Sequence, residues 1–481
     1  MSGRGRKSLA AVALASGLAI AGLSADAGRD GAGVASPARV APVQAAGDVD
    51  PAAALELLRV VSKQGHSSHP VWYHDSQIVE TGDDVYAAFN GDSQTVLARL
   101  RRSDLEILDK TTVNRAPLGG NTDTTGTDTN RHDVPALAAD GNGLLHVLYG
   151  GGTLSGRSSK LDGPYWRHTT KAGDIGAFDR ERRLDIGGGS AFDFETVRDS
   201  AGTVHFFGQH GSGDAGSLIE LRLTAGGGWD APRKVIDGGP TAKACIRDGR
   251  PRGCNRFAIA RSTVGPDGRL HLVWGYSEAS LSGKCAVDAG YCDHDLYYAV
   301  SVDQGATWQN LSGRVRRRAS RAPITNDDRR FRIAAGHIGL FKAISAGDGD
   351  VLVVFSRRSG ALAGSKTKFA LRAISLAGGS AREHQIAAPD QAWDSAPVLR
   401  RDGDRFSLWL GTGKRIVRMS ATSAAGPWRQ QLVYKGDAWS LTGTPSATVP
   451  GRQLLLWRGA RKNGLSEVVM GVAPAATPPP G

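Results

Sequence analysis

Hydrophobic residues fall in short runs cut by Gly/Asp turns, and no stretch sustains a 3.6-residue period. One pattern returns seven times: a turn, a strongly apolar run, then a polar or glycine-rich break. The runs are Asp84-Val-Tyr-Ala-Ala-Phe89, Leu144-Leu-His-Val-Leu-Tyr149, Thr203-Val-His-Phe-Phe207, Arg269-Leu-His-Leu-Val-Trp274, Asp350-Val-Leu-Val-Val-Phe355, Arg405-Phe-Ser-Leu-Trp-Leu410 and Gln453-Leu-Leu-Leu-Trp457, starting about 50 to 80 residues apart. Ahead of each lies another apolar strand and a short turn, as in Pro135-Ala-Leu-Ala-Ala-Asp-Gly-Asn-Gly143. Behind each come a third strand, a second turn and often a Trp: Trp166, Trp229, Trp308 and Trp428. Four antiparallel strands repeated seven times predict an all-β fold, a seven-bladed β-propeller over residues 51–473. A string of β-sandwiches would not keep one period of this length. The seventh unit stops after its third strand, Glu467-Val-Val-Met470. Leu55-Glu-Leu-Leu-Arg-Val-Val61 is expected to supply the missing outer strand, closing the ring and removing an exposed edge.

The ends read differently. Arg4, Arg6 and Lys7 precede an apolar run over residues 9–23, followed by Ala25-Asp26-Ala27. That is the pattern of a signal peptide over residues 1–27, cut near Ala27, and it predicts a secreted or periplasmic protein. The run is short for a membrane span of about 20 residues. Residues 28–50 read as a flexible Ala/Gly/Pro linker and residues 474–481 as a disordered tail. In an oxidising compartment Cys245 with Cys254, and Cys285 with Cys292, are expected to form two local disulfides. A four-cysteine zinc site would need tighter pairs.

Lys and Arg number 59 against 47 Asp and Glu, a formal charge of +12. Removing Arg4, Arg6, Lys7 and Asp26 lowers it only to +10. The folded part is therefore basic and favours an anionic partner. A nucleic-acid partner is not favoured, because no recognised nucleic-acid motif accompanies the charge. A monomer is expected.

Loop lengths choose the working face. With strands a to d counted outward from the axis, the a–b and c–d turns are short. The b–c and d–a segments, residues 114–131, 169–190, 237–255, 280–293 and 314–335, are long, and long loops on a rigid scaffold carry function. His146, His205 and His271 start strand b on the short-turn side and read as buried structural residues. His74, His132 and His337 precede strand a and are expected to ring the funnel mouth, with His69 in the same loop layer and Gln209 and His210 ending strand b. Tyr276, Arg332, Arg357, Arg358, Trp393 and Arg458 complete a cationic, aromatic rim. Arg pairs carboxylates bidentately and aromatic rings stack on sugars, so this set suits an acidic polysaccharide or oligosaccharide.

Two stretches carry a family resemblance. Ser301-Val-Asp-Gln-Gly-Ala-Thr-Trp308 resembles the Asp-box motif S-x-D-x-G-x-T-W of sialidases and other BNR-repeat propellers, with Ser420-Ala-Thr-Ser-Ala-Ala-Gly-Pro-Trp428 and Ser159-Lys-Leu-Asp-Gly-Pro-Tyr-Trp166 as degenerate copies. Such boxes are turn motifs remote from the catalytic face. Arg131-His-Asp-Val-Pro-Ala-Leu-Ala-Ala-Asp-Gly-Asn-Gly-Leu-Leu-His146, together with residues 295–308, is similar to the BNR-repeat family that contains ulvan-lyase-type polysaccharide lyases and propeller enzymes acting on rhamnose–glucuronate linkages. The likeness spans most of residues 70–470. It implies a catalytic His at His132. Asp133 stands where that family has Asn, Tyr149-Gly-Gly-Gly152 where a second His is expected, and Asp193 and Gln209 near an expected Tyr and Arg.

Elimination at a uronate needs a base for the C5 proton, an acid for the leaving oxygen and a cation on the carboxylate. His132 is the candidate base, Tyr276 the acid, and Arg357 or Arg332 the cation. Two alternatives remain. A glycoside hydrolase of sialidase or rhamnosidase type would need paired carboxylates, for which Asp133, Asp193, Asp293 and Asp394 are available. A glycan-binding propeller would catalyse nothing. No cofactor or metal site is expected, and residues 121–130, with two carboxylates, read as a solvated loop before a structural calcium site.

Overall fold

The structure, a computed structural model, describes residues 55–65, 70–71, 76–91, 94–114, 134–150, 164–187, 191–210, 217–238, 245–247, 250–252, 255–279, 291–325, 328–359, 368–388 and 396–474. Strand β1 (Leu57–Gly65) is followed by a four-stranded antiparallel sheet of β2 (Ile78–Thr81), β3 (Asp84–Asn90), β4 (Thr95–Arg101) and β5 (Ile107–Thr112). A second comprises β6 (Ala136–Ala139), β7 (Leu145–Tyr149), β8 (Tyr165–His168) and β9 (Arg182–Arg183). A third holds β10 (Ala191–Arg198), β11 (Val204–His210), β12 (Ser217–Leu223) and β13 (Arg233–Asp237), and a hairpin of β14 (Cys245–Arg247) and β15 (Arg250–Arg252) follows it.

The fourth group is β16 (Asn255–Val264), β17 (Leu270–Ala279) and β18 (Tyr291–Ser301), with β19 (Thr307–Gln309) and β20 (Arg316–Arg318) at its margin. Strand β21 (Ile324–Thr325) leaves it and pairs in parallel with β13. Strand β22 (Arg332–Ala346) works twice: its first half pairs with β18 and its second with β23 (Asp350–Ser359). Then follow β24 (Lys368–Ala377) and β25 (Ser380–Gln385), and a sixth group of β26 (Val398–Asp402), β27 (Arg405–Gly411) and β28 (Gly413–Ala421). Strand β29 (Arg429–Pro445) likewise pairs with β28 and then with β30 (Gln453–Lys462), which pairs with β31 (Leu465–Ala473). No α-helix occurs among the described residues.

All seven repeated runs are second strands: β3, β7, β11, β17, β23, β27 and β30. Their continuous apolarity follows from burial on both faces. In β3, Val85, Ala87 and Phe89 pack against the seventh unit, while Tyr86 and Ala88 pack against the second. The same division repeats down the chain, so each pair of successive units shares one core. The seventh unit returns to the first through Leu454, Leu456, Val468 and Met470. Strand β1 pairs with β31, Leu57 opposite Val472 and Val60 opposite Val469, so the two ends of the described chain meet as expected.

Three expectations need correction. Trp166 lies in the third strand of its unit, β8, rather than after it, because it pairs with Leu148. The segments read as long loops partly form strand: β14 and β15 lie in one, and β20, β21 and a 3₁₀ turn over Arg329–Phe331 lie in another. His337 sits inside β22, paired with His294, because that strand bridges two units without a loop. Residues 1–54, with the expected signal peptide and the whole of the expected linker, lie outside the described residues. So do Cys254, Cys285, the 121–130 loop and the tail beyond residue 474; Cys245 and Cys292 are placed by backbone alone.

Candidate functional site

Strand register builds the site. First strands begin at the long-loop side, and four of them carry a bulge near that end. It falls between Phe192 and Glu195 in β10, Ala258 and Arg261 in β16, Ile338 and Lys342 in β22, and Trp439 and Thr442 in β29. Asp193 and Ser440 take positive φ of 55° and 50° there. A bulge bends the strand and re-aims side chains, and bulges gather beside functional sites. Opposite the residues before these bulges, on the second strands, stand Gln209, Gly275, Arg357 and Arg458. One residue further along are His210, Tyr276, Arg358 and Gly459. Six rim residues named from sequence thus occupy two successive levels at one end of the second strands.

The fourth unit is richest. Phe257, Tyr276, His294 and His337 are register partners across β16, β17, β18 and β22, one row over four strands. Asp295, with φ of 55°, bulges beside this row. Its carboxylate accepts Gly336 N–H at 2.8 Å and Arg332 Nη1–H at 3.2 Å. Arg332 is exposed, and Asp295 is its one recorded ion-pair partner among the described residues.

Arg357 is differently placed. Its Nε and Nη2 donate to both Glu383 oxygens at 2.9 and 2.6 Å, and its Nη1 donates to Ala335 O at 2.8 Å. A guanidinium so held clamps β22 against β25, a bidentate arrangement that fixes geometry as well as charge. Arg332 is the more available cation. Arg458 lies over the half-buried Trp439 ring at 5.4 Å. That ring packs on Gly413, where an added Cβ would meet it at 2.8 Å. Gln209 is buried and His210 half-buried at the end of β11. Tyr276, His337 and Arg358 are placed by backbone alone, and His69, His74, His132 and Trp393 lie outside the described residues.

The first strands of six units line one cavity of about 240 Å³, at residues 76–78, 195–197, 261–263, 343–344, 396–399 and 441–445. Two charged groups face it, Glu195 and Arg261. The Glu195 carboxylate accepts Ser262 N–H at 2.6 Å and Ser262 Oγ–H at 3.3 Å, with Arg261 Nη1 at 3.4 Å. Burial pushes its carboxyl up to about 7, against the opposing pull of Arg261 and Ser262. Glu195 and Trp439 were missed in the sequence. The signal was present: Ala191-Phe-Asp-Phe-Glu195 and Ala438-Trp-Ser-Leu-Thr442 share one order of small, aromatic, polar, apolar and polar residues.

The short-turn side is structural. His146 Nε2–H donates to Asp140 at 3.2 Å while its Nδ1 accepts Trp166 Nε1–H at 3.1 Å. His205 sits fully buried between Glu220 (2.6 Å) and Asp199 (3.1 Å). His271 contacts Tyr298 Oη at 2.7 Å, and burial pushes its imidazole down to about 4. In the turn over residues 301–308, Asp303 accepts from Ser301 Oγ–H, Thr307 N–H and Thr307 Oγ1–H, and Trp308 is fully buried. Among the described residues no cluster of three His, Cys, Asp or Glu is placed to hold a metal, and no helix is long and apolar enough to cross a membrane.

No protein-family model matches this chain, and no curated protein matches its sequence. Solved structures do. A PL25 polysaccharide lyase, an ulvan lyase bound to -[GlcA(1-4)Rha3S]-, superposes with a TM-score of 0.63 at 12% identity, over 87% of this chain and 95% of that one. The same kind of enzyme without the sugar gives 0.62 at 12% identity, over 87% and 96%. The polysaccharide lyase Uly1 gives 0.59 at 12% identity, over 84% and 90%. The protein therefore has a propeller-like all-β fold, shared along nearly its full described length with these lyases.

Proposed function

We propose that the protein is a secreted, monomeric, carbohydrate-active enzyme that cleaves an acidic, uronate-containing polysaccharide by β-elimination. The observation that carries the reading is the row of Tyr276, His294 and His337 on adjacent strands beside the exposed Arg332, on a scaffold shared with lyases. A sugar in one of those lyases contains glucuronate. The scaffold is read as a seven-bladed propeller closed by β1, supported by the shared cores and by six first strands around one cavity.

In this reading Arg332 receives the uronate carboxylate and withdraws charge from it, which acidifies the C5 proton. His132 takes that proton, the electron pair forms the C4–C5 double bond, the C4–O bond breaks, and Tyr276 protonates the departing oxygen. Arg357 positions β22 through Glu383 and Ala335. Trp439, with Arg458 over it, offers a stacking platform.

The test is incubation of the purified protein with a panel of uronate polysaccharides, a glucuronate–rhamnose polymer among them, following ultraviolet absorbance and reducing ends. Unsaturated ends are expected, and His132→Ala and Tyr276→Phe should each lower their rate by at least about 100-fold. Reducing ends without unsaturation would make it a hydrolase; binding without either product would make it a binding module.

A further inference from the structure

The basic charge of the folded part is not used up at the rim. Residues 314–330 hold seven arginines against two aspartates. Strand β20 lies at the margin of its sheet and pairs with β19, Gln309 opposite Arg316, Trp308 opposite Arg317 and Thr307 opposite Arg318, while Arg318 also bridges Ala322 across the following turn. Alternation decides what each arginine does. Arg317 shares the level of the buried Trp308 and turns to Asp328 at 3.1 Å. Arg316 and Arg318, on the other face, are exposed and stand about 7 Å apart. Arg314 before the strand and Arg321 in the turn after it are also exposed. The turn after β20 is tied to the neighbouring unit, Ser320 N–H donating to Lys234 O at 2.8 Å and Lys234 N–H to Ser320 Oγ at 3.1 Å, while the adjacent Arg233 is held by Glu220 at 3.8 Å and donates to Gln304 O at 3.1 Å.

Nearby carboxylates are already engaged: Asp328 by Arg317 and Arg330, Asp237 by Lys234. Among the described residues no carboxylate pairs with Arg314, Arg316, Arg318 or Arg321. Charges on an edge strand also block unwanted sheet pairing, but that role does not account for Arg314 and Arg321, which lie off the strand.

We propose that this arginine row is a second binding site, for a polyanionic polysaccharide bearing carboxylate or sulfate groups, separate from the rim. β18 joins the two places: the row of Tyr276 and His337 lies at His294 and the β19 hairpin at Val300, about 20 Å along the strand. Guanidinium forks suit carboxylate and sulfate oxygens, and a row of them suits a polymer more than a single sugar. The site would hold a chain without contributing to its cleavage, and it stands whether or not the rim is catalytic.

The full-length protein and an Arg316→Ser/Arg318→Ser/Arg321→Ser variant are titrated with chondroitin sulfate and neutral dextran over a range of salt. The wild type should bind chondroitin sulfate and ignore dextran. The variant should bind roughly tenfold more weakly at about 0.15 M salt, with a shallower salt dependence and an unchanged melting temperature. A single Arg318→Glu change at its exposed position carries the same test, with a loss of about threefold. Equal affinity in the variants overturns the proposal. So does a variant that merely self-associates, and so does a wild type that prefers duplex DNA or anionic vesicles to the polysaccharide.

Discussion

Replacing Glu195 by Gln tests the electrostatics of the cavity that the first strands line. In the folded protein the Glu195 carboxyl titrates near 7, against 4.5 for an ordinary glutamate. Between those values the native state keeps a proton that the unfolded chain has released, so folding stability falls as pH rises. The contribution is fully present below pH 4.5 and gone above about 7. That span, at about 1.4 kcal/mol per pH unit, amounts to about 3 kcal/mol. Glu195→Gln keeps an oxygen for Ser262 N–H and cannot ionise, so its stability should lack this decline. Its other cost, a less well compensated Arg261, is constant across the window because arginine stays charged. Asp104, Asp303 and Asp328, whose carboxyls are held below the usual value, titrate at lower pH and cancel in the difference between the two proteins. Urea unfolding of both from pH 4 to pH 8 gives the comparison. Parallel curves through the window would refute the reasoning, since Glu195 would then titrate alike in both states.

Other expectations concern packing and the rim. Gly208→Ala would place a methyl 2.2 Å from Phe194 Cε1, against a buried aromatic ring, and should cost about 3 kcal/mol in unfolding experiments. His205→Gln leaves the buried Asp199 and Glu220 without the imidazole between them and should destabilise by about 3 kcal/mol or more, read as a lower melting temperature. Arg332→Lys removes the planar fork but keeps the charge; KM for a uronate substrate should rise several-fold in steady-state kinetics while kcat changes less.

Much of this was legible in the chain because burial on both faces writes itself as continuous apolarity. All seven second strands were readable for that reason, and so was the pairing of Leu57–Gly65 with β31, since an incomplete last unit leaves an edge that the first strand can cover. The rim levels were legible in part: Gln209, Arg357 and Arg458 were named separately, and register shows that they are one position in three units. Trp439 and Glu195 escaped because a bulge adds one residue to a strand and breaks the period-two alternation by which a facing side chain is recognised.

The sequence by itself determined the all-β class, the repeat and the structural role of His146, His205 and His271, because apolar runs and turns act through neighbours a few residues away. Only the tertiary structure decided which charges are free. Arg357 is held by both Glu383 oxygens and Arg332 by a single contact to Asp295, while Arg316 and Arg318 face solvent and Arg317 between them faces Asp328. Partners for a guanidinium come from strands distant in sequence, and composition carries no record of the register that brings them within hydrogen-bond reach.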